Sequence, residues 1–226
     1  PAETPSFRRA RPALPEGGTV LDVGARAGAA SLPLAPPAGR LVAVDPSAEM
    51  LAAFRELAAR RAVPVETIEG PWPDVAPQTP VGDVVVCHHV LYNAPDLAVF
   101  ARALTERARR RVVVEVTDRH PMAWTGPLWR RFHGLERPAG PTADDAVAAL
   151  TEAGITPHRE EAEPLDGPGG FGRRADAVAF LRRRLCLPAD RDVEVAEAVG
   201  DHLVEREGLW SFRPPGRRLV TLWWEP

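Results

Sequence analysis

Five short apolar runs, most of them rich in valine, are spaced along the first half of this chain of 226 residues. They lie at 19–23 (TVLDV), 40–44 (RLVAV), 65–68 (VETI), 83–87 (DVVVC) and 112–116 (VVVEV). Helical patterns separate them, and strands that alternate with helices are typical of a parallel sheet covered on both faces. Runs that are almost wholly apolar fit strands buried on both sides. The first half therefore predicts a doubly wound α/β sheet.

The helical patterns occupy 28–35, 47–61 and 96–109. Ser47 and Asp96 each follow a proline and are residues that cap a helix N-terminus, so they mark two helix starts. A further helix is predicted to begin after Thr142 and to stop at Gly154.

The alternation is less regular beyond residue 117. We predict one domain over 1–226, with a cofactor-binding core at 19–117 and a last strand at 219–224. Between these, 118–141 reads as a connecting segment and 164–218 as a helical insertion or lid, since long insertions are often binding elements. Within the later part, the sequence suggests a strand at 155–162, a glycine-rich loop at 166–172 and helices at 173–187 and 190–207.

The composition is that of an ordinary globular protein, with 45% hydrophobic and 26% charged residues. A net charge of −3 gives no global reason to bind nucleic acid or an anionic membrane, and we expect neither partner. The chain has no apolar run of transmembrane length and no secretory pattern, so we expect a cytoplasmic protein. Cys87 and Cys186 are expected to be reduced, and no spacing of metal ligands is present.

The first apolar run leads directly into a glycine turn, in the stretch TVLDVGARAG. Asp22 precedes Gly24 and Gly28, and a segment of small residues follows. A strand, a glycine turn and a helix start together form an arrangement that binds an anionic or polar cofactor. The spacing is not the G-x-G-x-x-G of dinucleotide-binding proteins, which argues against a nicotinamide cofactor.

This stretch resembles the first motif of the class I S-adenosylmethionine-dependent methyltransferases, an acid followed by alternating glycines. Asp45 in LVAVDPSAEML resembles the acid that ends the second strand in that family. The segments IEGPWPDV and DVVVCHHVLYNAPDL match two later motifs by position, so the resemblance covers about 19–117. It implies a Rossmann-like sheet of about seven strands with an antiparallel last strand, and a helical insertion before that strand.

The resemblance also implies which residues contact S-adenosylmethionine. Asp45 would offer two acceptor oxygens to the ribose hydroxyls. Gly24 and Gly28 would let the backbone approach the methionine part, and Met50 would lie against the adenine. The other implied cofactor contacts are Asp22, Ala25, Arg26, Pro46, Glu69, Gly70, Pro71, Trp72, Cys87 and His88.

Two residues depart from the family pattern. Arg26 stands where the family has a glycine, and Pro71 stands where an acid often binds the adenine amine. If residue 26 takes a positive φ, arginine costs roughly 1 kcal/mol more than glycine. Its side chain could face solvent, obstruct the site, or pair with the carboxylate of the cofactor.

Catalytic or substrate-binding roles are predicted for His88, His89 and Tyr92, which follow the fourth strand at the edge where parallel sheets bind ligands. Methyl transfer needs a base only when the acceptor is protonated at the working pH. One histidine could instead be satisfied inside the core. Glu115 interrupts a valine strand, so it is expected to be buried with a partner or to face the cleft.

The predicted function is methyl transfer from S-adenosylmethionine to a small-molecule acceptor, with S-adenosylhomocysteine as the product. Two alternatives stay open at this point. The first is a degenerate methyltransferase-like protein that only binds S-adenosylmethionine or S-adenosylhomocysteine. The second is a methyltransferase that acts on RNA or protein, which would need a continuous arginine surface beside the cleft.

Overall fold

The computed structural model describes residues 4–163, 170–213 and 216–226. The chain divides into two compact units. The first consists of Pro1–Asp118, Pro141–Glu163 and Arg218–Pro226, and the second of Arg119–Gly140 and Pro164–Arg217. Of the loop predicted at 166–172, residues 166–169 lie outside the described residues.

The first unit is built on a seven-stranded sheet. Its strands are β1 (Thr19–Val23), β2 (Arg40–Asp45), β3 (Val65–Glu69), β4 (Gly82–His88), β5 (Ala108–Thr117), β6 (His158–Ala162) and β9 (Leu219–Trp224). Their order across the sheet is β3-β2-β1-β4-β5-β9-β6. Strands β1 to β5 are parallel, and β9 runs antiparallel to both β5 and β6. The predicted doubly wound sheet with an antiparallel last strand is therefore confirmed.

The helices of this unit are α1 (Pro5–Ala10), α2 (Ala48–Ala59), α3 (Leu97–Glu106) and α5 (Ala143–Glu152). The predicted caps are confirmed at three of them. The side chains of Ser47, Asp96 and Thr142 each accept a hydrogen bond from a backbone N–H in the first turn of the helix.

Two apolar clusters cover the two faces of the sheet. In β1, Leu21 and Val23 pack on the face covered by α3 and α5, whereas Val20 packs on the face covered by α1 and α2. All three side chains are fully buried. This alternation explains why the central strands read as continuous apolar runs, since both of their faces need apolar side chains.

The strand order indicates where a ligand of this sheet binds. β1 pairs with β2 on one side and with β4 on the other, so the chain reverses its direction of winding between them. Ligands of such sheets bind beyond the carboxyl ends of the strands at this switch point. The glycine turn after β1, Asp45 at the end of β2 and His88 at the end of β4 all lie at that edge.

The prediction of a helix at 28–35 is wrong. Residues 26–31 form turns, and only Leu32–Leu34 is helical, as one turn of 3₁₀-helix. Pro33, Pro36 and Pro37 remove backbone donors that a regular helix would need. The strand predicted at 155–162 is shorter than expected and begins at His158.

The second unit contains α4 (Gly126–His133), α6 (Arg174–Arg184) and α7 (Asp192–Val199), with a two-stranded sheet of β7 (Leu203–Arg206) and β8 (Leu209–Phe212). Its own hydrophobic core contains Leu128, Leu181 and Val195 together with other apolar residues. None of the helices in the described ranges of the chain is long and apolar enough to cross a membrane.

The helix predicted at 190–207 is correct only as far as Val199. Gly200 takes a φ of +48°, which ends the helix. Glu207 and Gly208 both have positive φ, as a two-residue type I′ hairpin turn requires. The hairpin β7–β8 therefore replaces the last part of the predicted helix.

Candidate functional site

A cavity of about 290 Å³ opens at the carboxyl edge of β1, β4 and β5. Four parts of the first unit line it: the glycine turn, the residues after it, the ends of β4 and β5, and helix α1. The lining residues are Thr4, Ser6, Phe7, Ala10, Gly24, Ala25, Arg26, Ala29, Ala30, Pro33, Val86, His88, His89 and Glu115. The cavity thus collects the turn and both histidines singled out in the sequence.

The two glycines of the turn are required by the protein's own packing. Gly24 has a φ of +72°, and a Cβ built there would lie 2.3 Å from Cγ2 of Val90. Gly28 has a φ of +88°, and a Cβ there would lie 2.6 Å from Leu32 and 2.8 Å from Phe54. Side chains of the fold thus fill the space that a Cβ would need at both positions.

Asp45 ties the glycine turn to the end of β2. Its Oδ2 accepts a hydrogen bond from the backbone N–H of Arg26 at 2.9 Å, and its Oδ1 accepts one from the N–H of Ser47 at 2.9 Å. The residue is 6% exposed. Each carboxylate oxygen has a second lone pair, so Asp45 is held rigidly and can still accept two further hydrogen bonds.

Arg26 takes a φ of +47°, the left-handed conformation that glycine adopts more readily. Its side chain is exposed and reaches the rim of the cavity. Within the described part of the chain, the guanidinium makes no ion pair. Its influence on the cofactor stays a prediction.

We expect Arg26→Gly to change the affinity for S-adenosylhomocysteine at least several-fold, because the substitution removes a charged side chain from the rim and also relaxes the backbone. Tighter binding would indicate obstruction by the side chain, and weaker binding would indicate pairing with the cofactor's carboxylate. Titration calorimetry measures both directions. Arg26→Ala is the control, because it removes the guanidinium and keeps the strained φ. Indistinguishable titrations of Arg26→Gly and the unaltered protein would mean that the side chain only faces solvent.

Asp22 lies beneath the turn and is 1% exposed. The hydroxyl of Ser31 donates to its Oδ2 at 2.6 Å, and its Oδ1 has no partner among the described residues. Burial raises the pKa of Asp22 to about 7, although hydrogen bonds from Ser31 oppose the shift; the charge of Asp45 adds to it. Asp22 is therefore a buried carboxyl that titrates near neutral pH.

This raised pKa predicts a pH-dependent stability that Asp22→Asn removes. As pH rises from about 4 to about 7, the unfolded chain ionises Asp22 and the folded chain does not, so the unfolding free energy falls by up to about 4 kcal/mol. Asparagine does not titrate. We expect the stability of Asp22→Asn relative to the unaltered protein to increase across this range and to level off above it. Urea denaturation, followed by circular dichroism at several pH values, measures the unfolding free energy of both proteins. A difference in unfolding free energy that does not change with pH would contradict the buried, protonated carboxyl.

His89 and Glu115 face each other at the ends of β4 and β5. His89 has a φ of +59°, and its backbone N–H donates to the carbonyl oxygen of Glu115 at 2.7 Å. Its Nε2 lies 3.3 Å from Glu115 Oε1. On the other side, the hydroxyl of Ser6 in α1 donates to Glu115 Oε2 at 2.6 Å. The expectation that Glu115 is buried with a partner or faces the cleft is confirmed in both respects.

These contacts fix the charge states at the cavity. Burial alone would raise the pKa of Glu115, but the hydrogen bonds from His89 and Ser6 and the nearby His88 lower it to about 2. For His88, burial lowers the pKa to about 4, even though Glu115 attracts a proton to it. At neutral pH the cavity therefore contains an ionised carboxylate and a neutral His88 imidazole.

The remaining predicted site residues lie outside this cavity. Glu69 pairs with Asp45 in the register of β2 and β3, and Gly70 N–H donates to the carbonyl oxygen of Asp45 at 3.2 Å. The segment at 69–72 thus lies beside Asp45. Pro46, Met50 and Pro71 belong to the same region and do not line the cavity.

Three predicted residues point elsewhere. The indole of Trp72 donates to the carbonyl oxygen of Phe100 at 3.3 Å and packs against that ring. Cys87 is fully buried in the core, where burial raises the pKa of its thiol. Tyr92 shares a hydrogen bond of 2.7 Å with the hydroxyl of Thr117 and lines a second cavity of about 200 Å³. The structure does not bring these three side chains to the first cavity.

Helix α1 supplies site residues that the sequence reasoning missed, namely Thr4, Ser6 and Phe7. Thr4 caps the helix, and Pro5 follows at its first position. This Thr-Pro pair is a local signal for a helix start. No local signal indicates that the helix packs at the site edge of the sheet.

The comparisons with known proteins agree with this fold. Residues 20–111 match a family model described as a methyltransferase domain. A putative methyltransferase from Bacillus halodurans has a TM-score of 0.59 at 17% identity, over 96% of this chain and 95% of that one. The YcgJ protein from Bacillus subtilis has a TM-score of 0.59 at 16% identity, over 97% of this chain and 96% of that one.

A third similar structure contains a ligand. The magnesium protoporphyrin IX methyltransferase from Synechocystis with bound S-adenosylhomocysteine has a TM-score of 0.52 at 15% identity, over 91% of this chain and 73% of that one. At these identities the structural likeness shows the fold. The search of curated protein sequences gives no match.

A parallel sheet with an antiparallel strand beside β5, a glycine turn after β1 and an acid at the end of β2 define a Rossmann-like methyltransferase fold. The match over 20–111 identifies a methyltransferase domain in that part of the chain, and the fold and the motif positions resemble those of class I S-adenosylmethionine-dependent methyltransferases. No cluster of potential metal ligands is found in the ranges that the structure describes.

Proposed function

We propose that the chain transfers the methyl group of S-adenosylmethionine to a small molecule that binds in the 290 Å³ cavity. The observation that carries this proposal is the position of the cavity. It lies between the glycine turn, where the family resemblance puts the methionine part of the cofactor, and His88, His89 and Glu115. A methyl donor held along the turn would therefore face the polar end of the cavity.

The described residues fit the cofactor. Asp45 is held by two backbone N–H groups and keeps lone pairs for vicinal hydroxyls. The segment at 69–72 lies beside it, where an adenine would follow a ribose. When bound, the cofactor supplies an electrophilic methyl group on a sulfonium. The protein aligns that group with the acceptor, and such alignment alone accelerates a displacement strongly.

The size and lining of the cavity favour a small acceptor. Small-molecule sites typically span about 300 to 1,000 Å³, and this cavity of about 290 Å³ lies just below that range. Phe7, Ala25 and Val86 give it apolar walls. The named activities of two similar structures, a magnesium protoporphyrin IX methyltransferase and a precorrin-6y methyltransferase, also concern small molecules.

The arginines of the second unit weaken the case for RNA as the acceptor. Several of them pair with neighbouring acids rather than standing as a continuous cationic surface. The pairs include Arg173 with Asp176, Arg182 with Asp192, and Arg191 with Glu194. Paired arginines have less charge available for phosphates.

Two measurements test the proposed function in sequence. Titration calorimetry with S-adenosylmethionine and S-adenosylhomocysteine is expected to show that both bind. If neither ligand binds, the proposal is refuted. Methyl-labelled S-adenosylmethionine is then incubated with the protein and with separate fractions of small molecules, RNA and protein. Label in the small-molecule fraction supports the proposal. Label only in RNA or protein favours the macromolecular alternative, and binding without transfer favours the degenerate one.

A further inference from the structure

A second cavity, of about 200 Å³, lies at the carboxyl edge of the sheet on the face that α3 and α5 cover. We propose that it is a separate binding site for a small organic amine, a molecule with an apolar body and one ammonium group. The two cavities have no lining residue in common, and their apolar walls belong to clusters on opposite faces of the sheet. This inference therefore goes beyond the proposed function and does not depend on it.

The walls of the second cavity are mainly apolar. Leu91, Leu97 and Val116 contribute branched side chains, and Ala94, Ala146 and Ala149 contribute methyl groups. Protein interiors are otherwise closely packed, so alanine at three positions leaves open a space that larger side chains would fill. Ala94, Leu97 and Ala149 are half-buried, and a molecule from solvent can therefore reach these walls. They fit a small apolar body.

Tyr92 gives the cavity an aromatic wall. Its hydroxyl shares a hydrogen bond of 2.7 Å with the hydroxyl of Thr117 and accepts one from the backbone N–H of the same residue. Because the end of β5 engages this oxygen, the part of Tyr92 that is left for a ligand is its ring. An aromatic ring attracts a cation placed over its face. Tyr92 therefore favours a ligand with a positive charge.

Asp145 places a negative charge at the cavity. Its Oδ2 accepts hydrogen bonds from the backbone N–H and the hydroxyl of Thr142, at 2.7 Å and 2.8 Å. These bonds lower the pKa of the carboxyl, so the group is ionised at neutral pH. In the described part of the chain both bonds go to Oδ2, which leaves Oδ1 for a ligand. Asp145 is exposed to solvent, so an ammonium group can reach it and donate a charge-assisted hydrogen bond.

The helix N-termini beside the cavity do not favour an anion, because their backbone donors already have acceptors. At α5, the N–H groups of Thr142 and Asp145 each donate to the side chain of the other residue. At α3, the carboxylate of Asp96 accepts the N–H of Val99 at 3.0 Å. Among the described residues that line the cavity, none is basic. The charge at the cavity is therefore negative, and a cation complements it.

Alanine methyl groups report on the two cavities separately in one sample. Ala94, Ala146 and Ala149 line the second cavity, whereas Ala25, Ala29 and Ala30 line the first. The probe is phenethylamine, which has an aromatic ring and one ammonium group. In an NMR titration of the protein labelled at its alanine methyl groups, we expect phenethylamine to shift the signals of the second set. Shifts confined to the first set would overturn the proposal.

Two matched probes test the charge of the ligand. Phenylacetate is an anion and phenethyl alcohol is neutral, and both have the same ring and nearly the same length as phenethylamine. We expect phenethylamine to bind about threefold to fivefold more tightly than the alcohol, which is the upper range for an ion pair at an exposed site. Phenylacetate is expected to bind more weakly than the alcohol. Equal affinities for the three probes, or tightest binding of phenylacetate, overturn the amine class.

Asp145→Asn removes the charge and keeps an oxygen that can accept the N–H of Thr142. This variant is expected to bind phenethylamine about threefold to fivefold more weakly and the alcohol as before. Asp144→Asn is the matched control, because Asp144 is the neighbouring acid, pairs with Arg159 and does not line the cavity. It is expected to bind phenethylamine with unaltered affinity. Equal losses in the two variants would indicate an effect of overall charge and overturn the role of Asp145.

Ala149→Leu tests the cavity itself, because the larger side chain occupies its space. We expect this variant to lose the shifts that phenethylamine causes at Ala94 and Ala146. Ala148→Leu, at an exposed position of the same helix, is expected to keep them, and circular dichroism verifies that both variants are folded. Unchanged binding in Ala149→Leu, or no shifts in the unaltered protein at millimolar phenethylamine, overturns the site. Neither result affects the proposed function, which the binding of S-adenosylhomocysteine tests separately.

Discussion

Asp45→Ala is expected to weaken the binding of S-adenosylhomocysteine about 100-fold, because two charge-assisted hydrogen bonds worth about 1.5 kcal/mol each would be lost. The carboxylate also accepts the N–H groups of Arg26 and Ser47. Alanine leaves both donors without this acceptor, so the glycine turn loses its attachment to the end of β2. Titration calorimetry measures the affinity, and circular dichroism verifies that the variant remains folded under the conditions of the titration.

Glu49→Ala is the matched control for this variant. Glu49 is an exposed acid four positions along the chain, in the first turn of α2, and its removal changes the net charge by the same amount. It is expected to bind S-adenosylhomocysteine within twofold of the unaltered protein. If the two variants have equal affinities, Asp45 does not bind the ribose and the effect is one of overall charge.

The fold could be predicted because its signals are local. A central parallel strand needs apolar side chains on both faces, and the valine runs of β4 and β5 meet that requirement. The caps Ser47, Asp96 and Thr142 satisfy backbone donors within three residues of themselves. Such contacts depend on short stretches of chain, so a single sequence reveals them.

The two errors in helix prediction have local physical causes. Residues 28–35 have small side chains suited to a helix, but Pro33 and the prolines that follow prevent one from continuing. Residues 200–207 have no proline. The helix before them ends at Gly200, and the hairpin turn depends on the positive φ of Glu207 and Gly208. A Glu-Gly pair is an uncommon signal for a type I′ turn, which favours Asn-Gly or Asp-Gly.

The candidate site was only partly predictable for a different reason. The glycine turn and Asp45 lie in recognisable motifs. Ser6 and Glu115, by contrast, are 109 residues apart, and their hydrogen bond exists only because α1 packs at the end of β5. Glu115 is conspicuous as an acid within a valine strand, but no local pattern indicates its partners. Long-range packing therefore determines the polar half of the cavity.

Gly24→Ala is expected to lower the unfolding free energy by about 3 kcal/mol, the sum of two effects. Alanine at a φ of +72° costs about 1 kcal/mol in backbone strain. The new Cβ would also lie 2.3 Å from Cγ2 of Val90, and moving a packed side chain typically costs about 1 to 3 kcal/mol. Urea denaturation measures the loss.

Gly17→Ala separates the two effects, because Gly17 has nearly the same φ, +71°, and nothing lies within 4 Å of a Cβ built there. It is expected to cost only about 1 kcal/mol. Val90→Ala provides the complementary comparison, since adding Gly24→Ala to it is expected to cost about the same 1 kcal/mol once Cγ2 is absent. Equal losses in Gly17→Ala and Gly24→Ala would contradict the contact with Val90. A larger loss in Gly24→Ala than in Gly17→Ala, and its disappearance in the Val90→Ala background, would show that glycine is required because the turn packs against the segment after β4. That segment also contains His89.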